Sequence, residues 1–171
     1  EYVATKVVGS DEGEGEGEGE TTEQVVYTTG SESSEGFKAT TTYNNAAAAA
    51  FGAAGSQWKT VYGTAATTDA ISGSQSMQMR WYSSAATTFG YTYTDFDIAN
   101  VTKVEFAAAM TGKNSVKVSY STDGGATWQG EQTFTLTTSK ATYTYVVSET
   151  GLANVRLKFQ DGRRPHAQAP R

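Results

Sequence analysis

In the stretch Val116-Lys-Val-Ser-Tyr-Ser-Thr-Asp-Gly-Gly-Ala-Thr-Trp128, Val116, Val118 and Tyr120 alternate with Lys117, Ser119 and Ser121. An alternation of period two is that of a strand with one buried and one wet face. Asp123-Gly124-Gly125 follows, and glycine tolerates the positive φ that a tight reversal demands. Ala126-Thr127-Trp128 begins the return and brings a large aromatic just past the turn. This is an antiparallel hairpin, in which Asp123 is expected to hold the turn through side-chain-to-backbone bonds with Trp128 packed over it.

The same period recurs outward from the hairpin in both directions. Val104, Phe106 and Ala108 alternate with Lys103 and Glu105. Tyr143, Tyr145 and Val147 form another such set, and so do Val155, Leu157 and Phe159 against Arg156 and Lys158. Upstream, Met77, Met79 and Trp81 share one face, opposite Gln78, Arg80 and Tyr82, while Phe89, Tyr91 and Tyr93 repeat at period two. Shorter strand candidates are Gln24–Thr28, Trp58–Tyr62 and Thr133–Leu136. The alanine run Ala46–Ala50 and the Gly/Thr/Ala/Ser segment after Tyr62 read as loop. About nine strands, with turn signals between them and no amphipathic helix, predict an all-β fold, an antiparallel β-sandwich.

Composition agrees and excludes several chemistries. Val, Thr and Tyr fill the apolar positions, whereas Leu and Ile are scarce, which suits pleated strands over packed helices. Cysteine is absent, which removes disulfides, thiolate metal sites and cysteine nucleophiles. His166 is the sole histidine, so neither a Ser-His-Asp triad nor a multi-histidine metal site is expected. The formal charge is −5, but seven of the 18 acidic residues lie between Asp11 and Glu23. Without them, 11 acidic residues face 13 basic ones and no basic patch points to nucleic acid. No apolar run approaches the roughly 20 residues that span a bilayer, so no membrane insertion is expected.

The chain divides into four parts. Residues 1–9 form one strand, set apart by the acidic Glu-Gly linker of residues 10–23, which is expected to be an extended, solvated tether. The sandwich occupies residues 24–160, and residues 161–171 form a basic, aperiodic tail resembling a tag or a frame-shifted end. With Glu1 where a methionine is expected, the chain reads as a processed piece of something larger. Residues 1–9 are either the last strand of an upstream module or the strand that fills an open edge of this one, in the same molecule or a neighbour.

Ser121-Thr-Asp-Gly-Gly-Ala-Thr-Trp128 resembles the Asp-box of sialidase-like propellers, a structural turn motif that implies no sialidase activity. A propeller needs several copies at a fixed period, and this chain has one. More broadly, four segments resemble the jelly-roll modules appended to secreted bacterial enzymes and adhesins. They are Glu32-Ser-Ser-Glu-Gly-Phe37, Ser76–Tyr82, Tyr-Ser-Thr-Asp-Gly-Gly125 and Asn154-Val-Arg-Leu-Lys-Phe159. These are galactose-binding-like, MAM-like and carbohydrate-binding modules. The resemblance implies a jelly roll, a secreted or cell-surface location, a polysaccharide or glycan as partner, and a structural calcium with Glu32 or Glu35 among its ligands.

Three functions are open on these residues. A sugar-binding module stacks exposed aromatics on the apolar faces of sugars. For that role the candidates are Gln78, Arg80 and Tyr82 on one face, with Trp58 and Tyr62 from a neighbouring segment, against the alternative that Trp58 and Trp81 are core. A structural or adhesive repeat would assemble through edge-strand exchange and need no ligand. A small glycoside hydrolase needs paired carboxylates, for which Asp95 and Asp97 are available, although aspartates at a strand end also serve turns. The expectation is a non-enzymatic module that binds a glycan.

Overall fold

The computed structural model describes residues 2–10, 23–28, 49–51, 55–66, 76–79, 89–110 and 115–162. No helix occurs among them, hence none long and apolar enough to cross a membrane. The strands are β1 (Tyr2–Ser10), β2 (Glu23–Thr28), β3 (Ala49–Phe51), β4 (Trp58–Val61), β5 (Gly63–Ala66) and β6 (Ser76–Met79). They continue with β7 (Tyr91–Thr94), β8 (Val101–Ala109), β9 (Ser115–Ser121), β10 (Gln129–Thr135), β11 (Ala141–Val146) and β12 (Arg156–Asp161). One sheet runs β11-β8-β1-β6-β5, with β2 also paired to β1, and the other runs β10-β9-β12-β7-β4-β3. Every pairing is antiparallel.

The two sheets close on one apolar core, making a sandwich. Val104 and Phe106 of β8 and Met77 and Met79 of β6 enter it from the first sheet. Val116 and Val118 of β9 and Leu157 and Phe159 of β12 enter it from the second. Phe106 meets Phe159 edge-on across the gap, ring centroids 5.3 Å apart. Aromatic pairs in such geometry contribute about 0.5–1.5 kcal/mol beyond their burial. The sheets are also joined by a polar contact: Tyr145 Oη of β11 donates to the Gly130 carbonyl of β10 at 2.7 Å.

The chain passes between sheets at Val61-Tyr62-Gly63, where β4 of the second sheet gives way to β5 of the first. Tyr62 takes the corner with φ 51°, and a Cβ on Gly63 would collide with Thr60 Oγ1. This corner and the alanine run depart from the loops expected there. Gly63–Ala66 forms β5, and Ala49–Phe51 forms β3, paired to β4 from Ala49↔Thr60 to Phe51↔Trp58. Neither segment has the apolar/polar alternation of a half-buried strand, and backbone pairing to β4 and β6 defines them as strands. The strand expected through Tyr82 is described as β6 to Met79, and the residues beyond it lie outside the described part.

β1 takes an interior position. It pairs with β8 from Tyr2↔Ala109 to Gly9↔Val101, and its other side meets β6 near Tyr2 and β2 from Lys6 onward. A strand with neighbours on both sides satisfies its backbone donors and acceptors within this molecule.

Candidate functional site

The site is built on the solvent side of the second sheet. On β7 the buried residues are Thr92 and Thr94, so Tyr91 and Tyr93 point outward, half-buried. The threonines are satisfied inside: Thr92 Oγ1 donates to the Lys59 carbonyl at 3.0 Å, and Thr94 Oγ1 accepts from the Leu157 N–H at 2.9 Å. Register then sets the neighbours. Tyr93 lies between Lys59 of β4 and Lys158 of β12, and Tyr91 lies opposite Gln160.

The hairpin after β9 closes one end of this face. Asp123 accepts from the Thr127 N–H at 2.9 and 3.0 Å, from Thr127 Oγ1 at 2.6 Å and from Ser121 Oγ at 2.6 Å. Ser121 Oγ in turn accepts from the Gly125 N–H at 2.8 Å. These bonds, those of Ser121 first and then of Thr127, hold the Asp123 carboxyl well below the usual carboxylate range. Gly124 and Gly125 have φ of 73° and 88°, the left-handed conformation for which glycine is suited. A Cβ on Gly125 would also touch Trp128 Cζ2 at 3.5 Å and Arg156 Cδ at 3.8 Å. The turn thus aims Trp128 across the sheet, where its ring meets Tyr93 edge-on at 6.0 Å.

Tyr91, Tyr93, Asp95, Gly124, Gly125, Trp128, Arg156 and Lys158 line a groove of about 280 Å³. Its charges are ordered by ion pairs. Asp95 receives Lys59 at 2.7 Å and Arg156 at 3.1 Å, while Arg156 Nε reaches Asp97 at 2.7 Å. The Arg156 guanidinium is held in its charged form chiefly by the hydrogen bond to Asp97, and the Lys59 ammonium by that to Asp95. These side chains are between 20% and 43% exposed, where water screens an ion pair and leaves it little net stabilisation. Their effect is to fix the position of Arg156.

Lys158 differs from the other two cations. Its ammonium lies 4.9 Å from the centroid of Tyr91 and 5.4 Å from that of Trp128. No carboxylate among the described residues pairs with it. Burial lowers its pKa from the ordinary lysine value, with Glu131 acting the other way, but Glu131 is itself bonded to Lys117 at 2.7 Å. Cation–π contacts hold a partly exposed ammonium by only about 0.5–1 kcal/mol.

Of the residues expected to bind sugar, Trp58, Tyr62 and Gln78 do not line this groove. Trp58 is 3% exposed, inside the core, with its Nε1 donating to Tyr27 Oη at 2.9 Å and its ring 6.0 Å from Phe159. It shares the inward parity of Thr60, so it offers no stacking platform. Tyr62 is 9% exposed at the corner between sheets, and half-buried Gln78 belongs to the other sheet, opposite Thr64. Arg80 and Tyr82 lie outside the described residues. So do Glu32 and Glu35, and no cluster of three or more metal-ligating side chains occurs among the described ones. Asp95 and Asp97, the candidate hydrolytic pair, are both engaged by cations.

Tyr91, Tyr93 and Trp128 line the groove but are not among the residues that the sequence offered for sugar binding. For Tyr93, and through the period of two for Tyr91, the outward parity of Lys158 is the available signal, because the residue opposite it on a paired strand faces the same way; Trp128 lies outside that pairing. Comparison with protein-family models, with curated proteins and with solved structures returns no significant match.

Proposed function

We propose that this is a non-catalytic carbohydrate-binding module of the secreted or cell-surface jelly-roll type, and that the outer face of the second sheet binds the sugar. The observation that carries the reading is the groove in which Tyr91, Tyr93 and Trp128 surround fixed polar groups. Sugars present apolar C–H faces rimmed by hydroxyls, and a site for them needs aromatic surface beside a few oriented donors and acceptors. Arg156, held by two carboxylates, is such an oriented donor. The engagement of Asp95 and Asp97 by Lys59 and Arg156 favours binding over hydrolysis, since hydrolysis requires one carboxyl kept as an acid.

Native gels containing soluble polysaccharides, neutral and acidic, test this with the full chain. Retardation is expected in at least one polymer, and Trp128→Ala or Tyr93→Ala should weaken it about tenfold or more, the scale of one aromatic contact. Unchanged migration in every polymer, or folded variants that bind as well as the parent, would contradict it.

A second reading, a structural or adhesive unit assembled by strand exchange, is favoured by one observation. β1, an interior strand of the first sheet, is separated in sequence from β2 by the Glu-Gly segment, a length of chain that would let a strand cross to a neighbouring copy.

A further inference from the structure

On the reading that this groove binds a saccharide, we propose that the saccharide is anionic, with Lys158 as the group that receives its charge. Three cations border the groove, and two of them, Lys59 and Arg156, are already paired with Asp95 and Asp97. Lys158 is the one whose ammonium rests on aromatic rings with no carboxylate partner among the described residues. Counting these five side chains leaves the groove with one unpaired positive charge, on a chain whose formal net charge is −5.

A half-buried ammonium has lost part of its hydration, and the lowered pKa of Lys158 reflects that loss. Bringing a carboxylate or sulfate beside it restores a charge-assisted hydrogen bond at small further desolvation cost. A neutral hydroxyl gives a weaker bond. The position also suits a sugar substituent. An anion bonded to Lys158 Nζ sits beside Trp128, so the pyranose bearing it lies against the aromatic surface of Trp128 and Tyr93. Lysine acts as a point charge and accepts either anion; the experiment separates the two sources.

Affinity is measured for the full chain with polygalacturonate and its methyl ester, and with dextran sulfate and dextran. At least one charged polymer is expected to bind about tenfold more tightly than its neutral counterpart at low salt, and this preference should shrink as ionic strength rises. Whichever pair shows the preference names the anion. The tail carries Arg163, Arg164 and Arg171, so the deciding variant is Lys158→Met, which keeps an apolar stem over the rings and removes the charge. It should bring charged and neutral polymers to within about twofold, and Lys158→Arg should restore the preference. The unfolding midpoint of each variant shows that it is folded, and the salt series on the parent chain stands without any variant. Equal affinity for charged and neutral forms overturns the anionic assignment, a preference that survives in Lys158→Met overturns Lys158 as the group that receives the charge, and either result leaves saccharide binding intact. Failure to bind any polymer, charged or neutral, overturns saccharide binding itself.

Discussion

Asp123 is exposed to water, yet its carboxylate accepts four hydrogen bonds from Ser121 and Thr127. In the folded chain its pKa is lowered from an ordinary value of 3.8. Above that value both folded and unfolded chains carry the charge, and the stabilisation is complete. As the pH falls below it, the unfolded chain takes up a proton that the native turn refuses, so stability declines. Asp123→Asn should therefore flatten the acid limb of a plot of urea midpoint against pH between about 5 and 2. Parallel curves for the two proteins would show that the turn draws nothing from this charge. The role of Asp123 was visible in the spacing Ser121-x-Asp123-x-Gly125-x-Thr127, because each partner lies within four residues. The aim of Trp128 was not, since it depends on how far the turn rotates the chain and on what the neighbouring strands present.

At the level of strands, legibility followed chemical contrast. β8 and β12 alternate apolar with charged residues, and the inward sets Val104, Phe106, Ala108 and Val155, Leu157, Phe159 are buried as their parity indicated. β7 alternates tyrosine with threonine, both comfortable in strands and both able to face either way. Only pairing with Lys59 and Lys158 settles which of them faces water. β1 carries the clearest prediction at this scale, being paired along most of its length with β8 and on its other side with β2 and β6. Removing residues 1–20 would leave those strands with open edges. The truncated chain is expected to lose its cooperative unfolding transition or to associate, and a synthetic peptide of residues 1–10 should restore the monomeric transition. A truncated chain that unfolds as cooperatively as the parent, and stays monomeric, would contradict the interior placement of β1.

Over the whole molecule, the sandwich separates two kinds of aromatic residue. Phe106, Phe159 and Trp58 fill the space between the sheets, whereas Tyr91, Tyr93 and Trp128 decorate the outside of one of them. Composition registers only that the chain is rich in aromatics, and the division between the two sets arises from register among segments distant in sequence. Lys59, Tyr93 and Lys158 form one row because β4, β7 and β12 are neighbours, an adjacency that no local motif encodes. The most direct measurement is an amide and indole NMR titration with oligosaccharides of the polymer that retains the protein. Shifts are expected at Tyr91–Asp95, Gly124–Trp128 and Arg156–Lys158, with the Trp128 indole N–H moving and that of core Trp58 still. Shifts centred instead on Gln78 and Thr64 of the opposite sheet, or none in the second sheet, would contradict the assignment of its outer face as the binding site.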